Sequence, residues 1–219
     1  MSVTGRAWHA ATAVVVVVAF VIQIPITAAD ESGVFDTPAA RVANLFTFFT
    51  ILTSLLVGGT SATIALRPDH RSRLLAVLRV DAVLGIAVTA AVYHTLLADL
   101  HDLHGAEEVA NQLFHSVSPT LALAGWLLFG PRGLVHRGVV LASLAYPLVW
   151  LVCTLVRGAL VGWYPYPFVD VGVLGYAQVV LNCLGVTLLF LVLAAALLGL
   201  DRLLSGRRER DPAAGARIG

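Results

Sequence analysis

The sequence predicts an all-α polytopic membrane protein, a bundle of six transmembrane helices with the N- and C-termini in the cytoplasm. Of its 219 residues 58% are hydrophobic and only 12% are charged, and the mean hydropathy is +0.87. These values point away from a water-soluble domain. Six segments reach about 20 mostly apolar residues, the length that one helix needs to cross a bilayer. They cover residues 8–28, 41–66, 78–98, 110–130, 138–160 and 173–200.

These segments use nearly the whole chain, which limits the domain organisation. We expect one six-span domain over residues 1–200 and a basic, flexible cytoplasmic tail over residues 201–219. The first segment resembles a signal peptide, because Arg6 precedes an apolar run that ends in small residues. Five further hydrophobic segments follow it, so we expect a retained helix. Cys153 and Cys183 both lie within predicted spans, which argues against a disulfide framework.

The arginines predict the orientation, because loops rich in arginine and lysine stay in the cytoplasm. With both termini inside, only Arg41 and Arg157 fall on the outer side. Asp99, Asp102 and Glu107 lie in an outer loop, a weaker sign that agrees. The chain is therefore predicted to be a multi-pass protein of the inner (plasma) membrane with lipids as its partners. The net charge of +1 gives no indication of nucleic-acid binding.

Small and hydroxylated residues share one face of the second predicted span. They recur at three or four residues, which places them on one side of a helix that should face the bundle. They are Asn44, Thr47, Thr50, Ser54, Gly58 and Ser61. Such residues usually allow membrane helices to approach closely and to hydrogen-bond. The spacing alone therefore does not make any of these threonines catalytic.

The fourth predicted span has a similar stripe that contains a histidine. Its members are Asn111, His115, Ser118, Ala122 and Gly125. An ionisable residue inside a membrane is costly to bury and by default indicates function. Pro119 has no N–H for the carbonyl of His115, so the helix should bend or open beside the imidazole.

The positions of the two stripes along the membrane normal permit a contact between them. At about 1.5 Å per residue, Thr50 lies roughly 10 to 15 Å below the outer end of its helix, and His115 about 8 Å below its own. The two residues can therefore share one level in the outer leaflet. A histidine within hydrogen-bond reach of a hydroxyl is the arrangement that activates a weak nucleophile.

Further polar groups fall in the same outer half of the predicted bundle. Tyr93 and His94 end the third span, and Asn182 lies on the sixth, where it faces the cavity or bonds to a neighbouring helix. The run WYPYPF occupies residues 163–168. Its aromatic rings suit the membrane interface. Its two prolines give a stiff segment that can fold back over the mouth of the bundle.

We expect four residues around this run to form a lid or to have a structural role. They are Arg157, Tyr164, Tyr166 and Asp170. In this lid Arg157 and Asp170 would pair across the mouth of the bundle.

Four motifs of the sequence are distinctive: the run FFTILTSLLVG, the segment NQLFHSVSP followed by Trp126, the pair Tyr146 and Pro147, and the run GWYPYPFVDV. Together they resemble the androgen-induced and androgen-dependent protein family of six-span membrane proteins, including its bacterial branch. The similarity covers nearly all of the chain. The animal members hydrolyse fatty acid esters of hydroxy fatty acids with a threonine nucleophile and a histidine.

The resemblance implies catalytic roles for two residues. Thr50, which follows two phenylalanines, fits the family threonine best, and Thr47 is the competing register. His115 matches the family histidine, because a serine and then Pro119 follow it. Gln112 and Ser116 stand where the animal proteins tend to have histidine and threonine, a departure that bears on the substrate.

The implied reaction needs no cofactor, and we assign no metal ligand. His115 would accept the proton of Thr50, and the acyl-threonine formed from the ester would then be hydrolysed by water. The lipid ester would enter sideways from the outer leaflet. Candidates for the substrate pocket or for stabilising the oxyanion are Asn44, Thr47, Ser54, Tyr93, His94, Asn111, Ser118 and Asn182.

Two alternatives from other classes stay open. A haem or metal site is possible through His94 and His115 with His101 or His104, since histidine is a common ligand and helix bundles hold cofactors. A non-enzymatic lipid-binding or transport protein is the other, and Asp81 on the third span is the residue that this alternative favours.

Overall fold

The computed structural model describes residues 1–100, 102–130 and 135–210, with side chains described through residue 205. Helices and no strands occur in these described ranges, which confirms the all-α prediction. The α-helices are α1 (Val3–Ala29), α2 (Pro38–Leu45), α3 (Phe49–Leu66), α4 (Arg73–Val92), α5 (Ala106–Gln112), α6 (Ser118–Phe129), α7 (Arg137–Ser143), α8 (Ala145–Val161) and α9 (Val171–Arg210). Two π-helical segments, Tyr93–Leu97 and Leu113–Val117, continue α4 and α5.

Five helical stretches in the described residues are long and apolar enough to cross a membrane. They are Val3–Ala29, Phe49–Leu66, Arg73–Leu100, Arg137–Val161 and Val171–Ser205. These correspond to the first, second, third, fifth and sixth predicted spans. The predicted fourth span, residues 110–130, is not among them. It is divided between α5, a π-helical segment and α6, and its polar residues lower its hydropathy.

The predicted second span, residues 41–66, is not one helix. It is divided into α2 and α3 by a turn at Phe46–Phe48. The Thr47 hydroxyl donates to the carbonyl of Asn44 at 2.7 Å, and the Thr47 carbonyl accepts from Trp150 Nε1 at 2.9 Å. Both bonds use backbone carbonyls, of Asn44 and Thr47, that would accept from N–H groups of the same helix if the helix were continuous. Asn44 and Thr47 therefore do not share a helical face with Thr50, which corrects the predicted stripe.

The remaining members of that stripe behave as predicted. Thr50, Ser54 and Ser61 on α3 are buried, and Gly58 lies against Val16 of α1. These four residues of α3 therefore face the interior of the bundle.

Helix α4 lies at the centre of the bundle and packs against α3, α6, α7 and α9. It approaches α3 closely at Gly85, where an added Cβ would lie 2.8 Å from Thr53 Cγ2. About one helical turn after Thr53, Val57 forms one apolar cluster with Ala82 and Ile86 of α4 and with Val16 of α1. Burial of such side chains is the main contribution that holds α1, α3 and α4 together.

Helix α9 does not end where the tail was predicted to begin. Helical backbone continues past residue 200 to Arg210, so residues 201–210 of the predicted tail are helical. Asp201 is buried, and its carboxylate accepts from the Val135 N–H at 3.3 Å. This contact fixes the C-terminal part of α9 beside the start of α7. The rest of the predicted tail, residues 211–219, lies outside the described residues.

Candidate active site

Thr50 lies in the first turn of α3 and is buried, with 7% of its surface exposed. Its N–H donates to Tyr166 Oη at 3.2 Å, and its Oγ1 lies 3.3 Å from the same oxygen. The residue before the helix, Phe48, makes no side-chain capping bond. Tyr166 thus supplies the acceptor that the helix start otherwise lacks. Burial raises the pKa of the Tyr166 phenol, so the hydroxyl stays protonated.

The other two threonines of this region also contact aromatic side chains. Thr53 Oγ1 lies 2.7 Å from Tyr146 Oη, and the Thr47 carbonyl accepts from Trp150, as described above. The ring of Phe49 stacks on Tyr146 with centroids 5.1 Å apart. The three threonines of the run TFFTILT therefore connect α3 to α8 and to the loop that follows it. Tyr146 and Trp150 were not predicted as site residues, although their spacing of four residues on one helix is a usable signal.

Arg157 takes a partner that differs from the predicted one. Its Nη2 donates to Asn44 Oδ1 at 2.8 Å, and the guanidinium carbon lies 5.5 Å from the ring centroid of Phe35 and 5.6 Å from that of Trp163. Asp170 instead accepts from the Val173 N–H at 3.2 Å at the start of α9. The predicted pair of Arg157 with Asp170 is therefore wrong. Arg157 contacts Asn44 and two aromatic rings, whereas Asp170 accepts from the backbone at the start of α9.

The WYPYPF segment, residues 163–168, does fold back into the bundle. Tyr166 is buried, and its ring stacks on Phe168 with centroids 5.3 Å apart. Tyr164 lies so close to Gly158 that a Cβ there would overlap its ring. Asn182 on α9 donates to the carbonyl of Phe168 at 2.9 Å. Asn182 thus holds this segment in place and bonds to a neighbouring element, one of the two roles predicted for it.

His115 lies in the π-helical segment Leu113–Val117, which ends two residues before Pro119. The local opening of the helix beside the imidazole is therefore confirmed. The His115 ring stacks on Tyr93 with centroids 4.0 Å apart, and Nδ1 lies 3.0 Å from the carbonyl of Asn111. A carbonyl only accepts, so this bond requires the proton on Nδ1 and leaves the lone pair of the neutral ring on Nε2. Nε2 is the nitrogen that can act as a base.

Tyr93 connects several of the predicted polar residues. It lies in the other π-helical segment, Tyr93–Leu97, which contains no proline and was not predicted. The Asn111 amide donates to its hydroxyl, and the His94 ring meets it edge-on with centroids 5.0 Å apart. His94 Nε2 in turn lies 3.3 Å from Ser116 Oγ. π-Helical turns are rare and frequently occur at functional sites.

The structure places Thr50 and His115 on neighbouring elements without a hydrogen bond between them. In the described residues the Thr50 hydroxyl contacts Tyr166, and His115 contacts Asn111 and Tyr93. The π-helical segment packs against α3, and Ile51 and Phe114, which adjoin the two residues in sequence, belong to one apolar cluster. The two segments thus pack against each other, and the Thr50 and His115 side chains have different partners.

Three further predicted polar residues are buried in the interior. Ser54 Oγ, Ser118 Oγ and Asp81 Oδ1 make no hydrogen bond to any described residue. Each of the three residues is at most 4% exposed. Buried polar atoms without partners are uncommon in folded proteins, so they mark positions that water or a ligand can satisfy.

The histidines do not form a metal-binding group in the described part of the chain. No three His, Cys, Asp or Glu side chains there lie close enough to hold an ion. His104 is exposed and lies 3.4 Å from Asp102. His101, one of the candidate ligands, lies outside the described residues.

A lateral groove of about 500 Å³ separates α8 from the turn between α2 and α3. Its lining is mostly apolar and includes Phe46, Leu52, Tyr146, Val149, Cys153 and Arg157. Thr47 is part of the lining and Thr50 is not. The groove therefore opens beside the threonine residues and ends at a single arginine.

Changing Tyr166 to phenylalanine is expected to lower the thermal stability. The change leaves the Thr50 N–H without its capping acceptor, which costs about 1 kcal/mol. The melting temperature of the detergent-purified protein measures the loss. Tyr164→Phe is the matched control, because no hydrogen bond of the Tyr164 hydroxyl occurs among the described contacts. Equal melting temperatures for Tyr166→Phe and wild type would contradict the capping role.

Comparison with known proteins identifies no relative: no family model, no curated protein and no solved structure matches this chain.

Proposed function

We propose that the chain is a six-span protein of the inner (plasma) membrane that hydrolyses lipid esters through Thr50 and His115. The substrate class is that of fatty acid esters of hydroxy fatty acids, following the family that the motifs resemble. The predicted fourth span, which completes the six, is the helical stretch Ala106–Phe129, in which a π-helical turn joins α5 to α6. At about 1.5 Å per residue it is long enough for the roughly 30 Å hydrocarbon core. Both termini are cytoplasmic, in agreement with the arginine distribution.

The environment of Thr50 is the observation that carries the proposal. A buried hydroxyl at a helix start, 3.3 Å from a protonated phenol, combines an attacking group with a hydrogen-bond donor. Tyr166 is placed to donate to the oxyanion that forms when Thr50 attacks an ester carbonyl. Asn44 and Thr47, which lie outside this helix, contribute to the surface next to it.

His115 supplies the base. Its Nδ1 is held by the Asn111 carbonyl, and the stacked Tyr93 ring fixes the plane of the imidazole. The lone pair on Nε2 is then available for the Thr50 proton. The contact between the two side chains must form on substrate binding, as catalytic hydrogen bonds often tighten only in the substrate complex.

The reaction has two steps. Thr50 Oγ1 forms a bond to the ester carbonyl carbon while its proton moves to His115, and the hydroxy fatty acid leaves with that proton. Water then attacks the acyl-threonine, again giving a proton to the imidazole. The second step releases the fatty acid and restores the threonine hydroxyl.

A covalent probe tests the proposal directly. The purified protein in lipid nanodiscs is incubated with a palmitic acid ester of hydroxystearic acid, and release of palmitate is measured by mass spectrometry. A fluorophosphonate probe is then added, and its adduct is located on a tryptic or chymotryptic peptide. We expect turnover and an adduct on Thr50. An adduct on Thr47 would instead support the competing register, and absence of both turnover and adduct would refute the hydrolase.

A lipid-binding protein without hydrolysis is the second candidate. The lateral groove favours it, because an apolar cleft of this volume suits a small-molecule ligand. Asp81, which this candidate favoured from sequence, is buried elsewhere on α4 and does not line the groove. Ligand binding with no turnover of any ester would support this candidate.

A further inference from the structure

The outer end of the lateral groove carries a guanidinium whose donors are mostly unused. A guanidinium has five N–H donors, and the described contacts of Arg157 use one of them, to Asn44 Oδ1. No carboxylate of a described residue lies within 4.0 Å of it. Phe35 and Trp163 hold the group in position by cation–π contacts. The site is thus preorganised for an anion that the described part of the chain does not provide.

The rest of the groove is suited to a hydrocarbon chain. Val149 is 60% exposed, and Cys153 beside it is exposed as well. Phe46 and Leu52 form the opposite wall, on the turn before α3 and on α3 itself. The volume of about 500 Å³ lies within the range of roughly 300 to 1,000 Å³ that small-molecule sites occupy.

We propose that the lateral groove binds one long-chain fatty carboxylate, with its carboxylate on Arg157 and its chain along Phe46, Leu52, Val149 and Cys153. A guanidinium binds a carboxylate with two parallel hydrogen bonds. The single positive charge of Arg157 matches a carboxylate, whereas a phosphate monoester carries about two negative charges at neutral pH. The hydrocarbon chain moves from one apolar environment, the lipid, to another, the groove. The selectivity for a fatty acid therefore comes from its carboxylate.

This site goes beyond the proposed hydrolysis and does not depend on it. Thr50 does not line the groove, and a free fatty carboxylate contains no ester to cleave. A test with such a ligand therefore succeeds or fails independently of catalysis.

Binding of cis-parinaric acid, a fluorescent polyene fatty acid, tests the proposal in detergent-solubilised protein. We expect the acid to bind wild type at least about tenfold more tightly than its methyl ester, which is about 1.4 kcal/mol. Arg157→Gln should remove this difference. Arg67→Gln, which removes an exposed arginine after the opposite end of α3, should retain it. Equal affinity of the acid and the methyl ester for wild type would refute the role of Arg157, even if Arg157→Gln does not fold.

Two further measurements locate the ligand. In a Cys183→Ser background Cys153 is the single remaining cysteine, and palmitate should slow its alkylation by N-ethylmaleimide. Val149→Trp, which fills the groove, should weaken binding of the acid and the ester alike. Unchanged alkylation in the presence of saturating palmitate would place the ligand elsewhere and refute the groove. Hexadecyl phosphate displacing cis-parinaric acid better than palmitate does would refute the choice of a carboxylate.

Discussion

Thr50→Ala is expected to reduce ester hydrolysis by about 10³-fold or more, because it removes the attacking oxygen. Labelling by the fluorophosphonate probe should disappear in the same variant. The alanine loses the hydroxyl contact to Tyr166 but keeps the N–H bond to the same oxygen, so the fold should lose only about 1 kcal/mol. Palmitate release and probe labelling in nanodiscs measure the effect, and size-exclusion chromatography verifies the fold.

Two neighbouring variants serve as controls for Thr50→Ala. Thr50→Ser retains a hydroxyl at the same position and should keep measurable turnover. Thr47→Ala removes the competing threonine, whose hydroxyl donates to the Asn44 carbonyl within the turn. Full activity of Thr50→Ala together with loss in Thr47→Ala would assign the reaction to the turn before α3.

His115→Phe is the second change with a large expected effect. Phenylalanine retains an aromatic ring against Tyr93 but has no nitrogen, so it removes the base while it preserves the stacking. General acid–base catalysis contributes about 10²- to 10⁴-fold, and we expect a loss of that size in kcat/KM. The rate of probe labelling should fall with it, because the same base activates Thr50.

His94→Phe is the matched control, since His94 also meets the Tyr93 ring but contacts Ser116 through its Nε2. We expect it to retain most of the activity. If His94→Phe and His115→Phe lose activity equally, the two histidines share a structural or metal-binding role, and His115 is not the catalytic base. Unchanged activity of His115→Phe would refute the proposed mechanism.

Much of the fold could be predicted from hydrophobic patterns alone. Five of the six predicted spans coincide with helices that are long and apolar enough to cross a membrane. The stripe of Asn111, Ser118 and Gly125 is buried as predicted, because one face of a helix follows directly from residue spacing. Pro119 also predicted the local opening at His115, since a missing N–H is a property of the residue itself.

The features that could not be predicted depend on contacts between distant parts of the chain. The break at Phe46–Phe48 involves Trp150, which lies on another helix, α8, and donates a hydrogen bond to the Thr47 carbonyl. The π-helical turn at Tyr93 has no proline to indicate it. The sequence paired Arg157 with Asp170, and only the arrangement of the helices selects Asn44.

The candidate site was predicted in part for the same reason. The sequence indicated Thr50, His115 and Tyr166 as important, but it assigned Tyr166 to a lid and did not pair it with Thr50. The pairing joins residues 116 positions apart and has no local signal. The hydrogen bond between Thr50 and His115 stays a prediction for the substrate complex.

The hydrogen bonds at the start of α3 also constrain how the protein is assembled during synthesis. The Thr50 N–H and the Thr47 carbonyl receive their partners from residues 116 and 103 positions later in the chain. A peptide group without a partner costs several kcal/mol in hydrocarbon. The emerging chain must therefore keep this turn hydrated, at the bilayer surface or inside the insertion machinery, until α8 and the aromatic segment after it have been made. We therefore expect full entry of α3 into lipid to be a late event in biogenesis, although α3 is among the first helices to be translated.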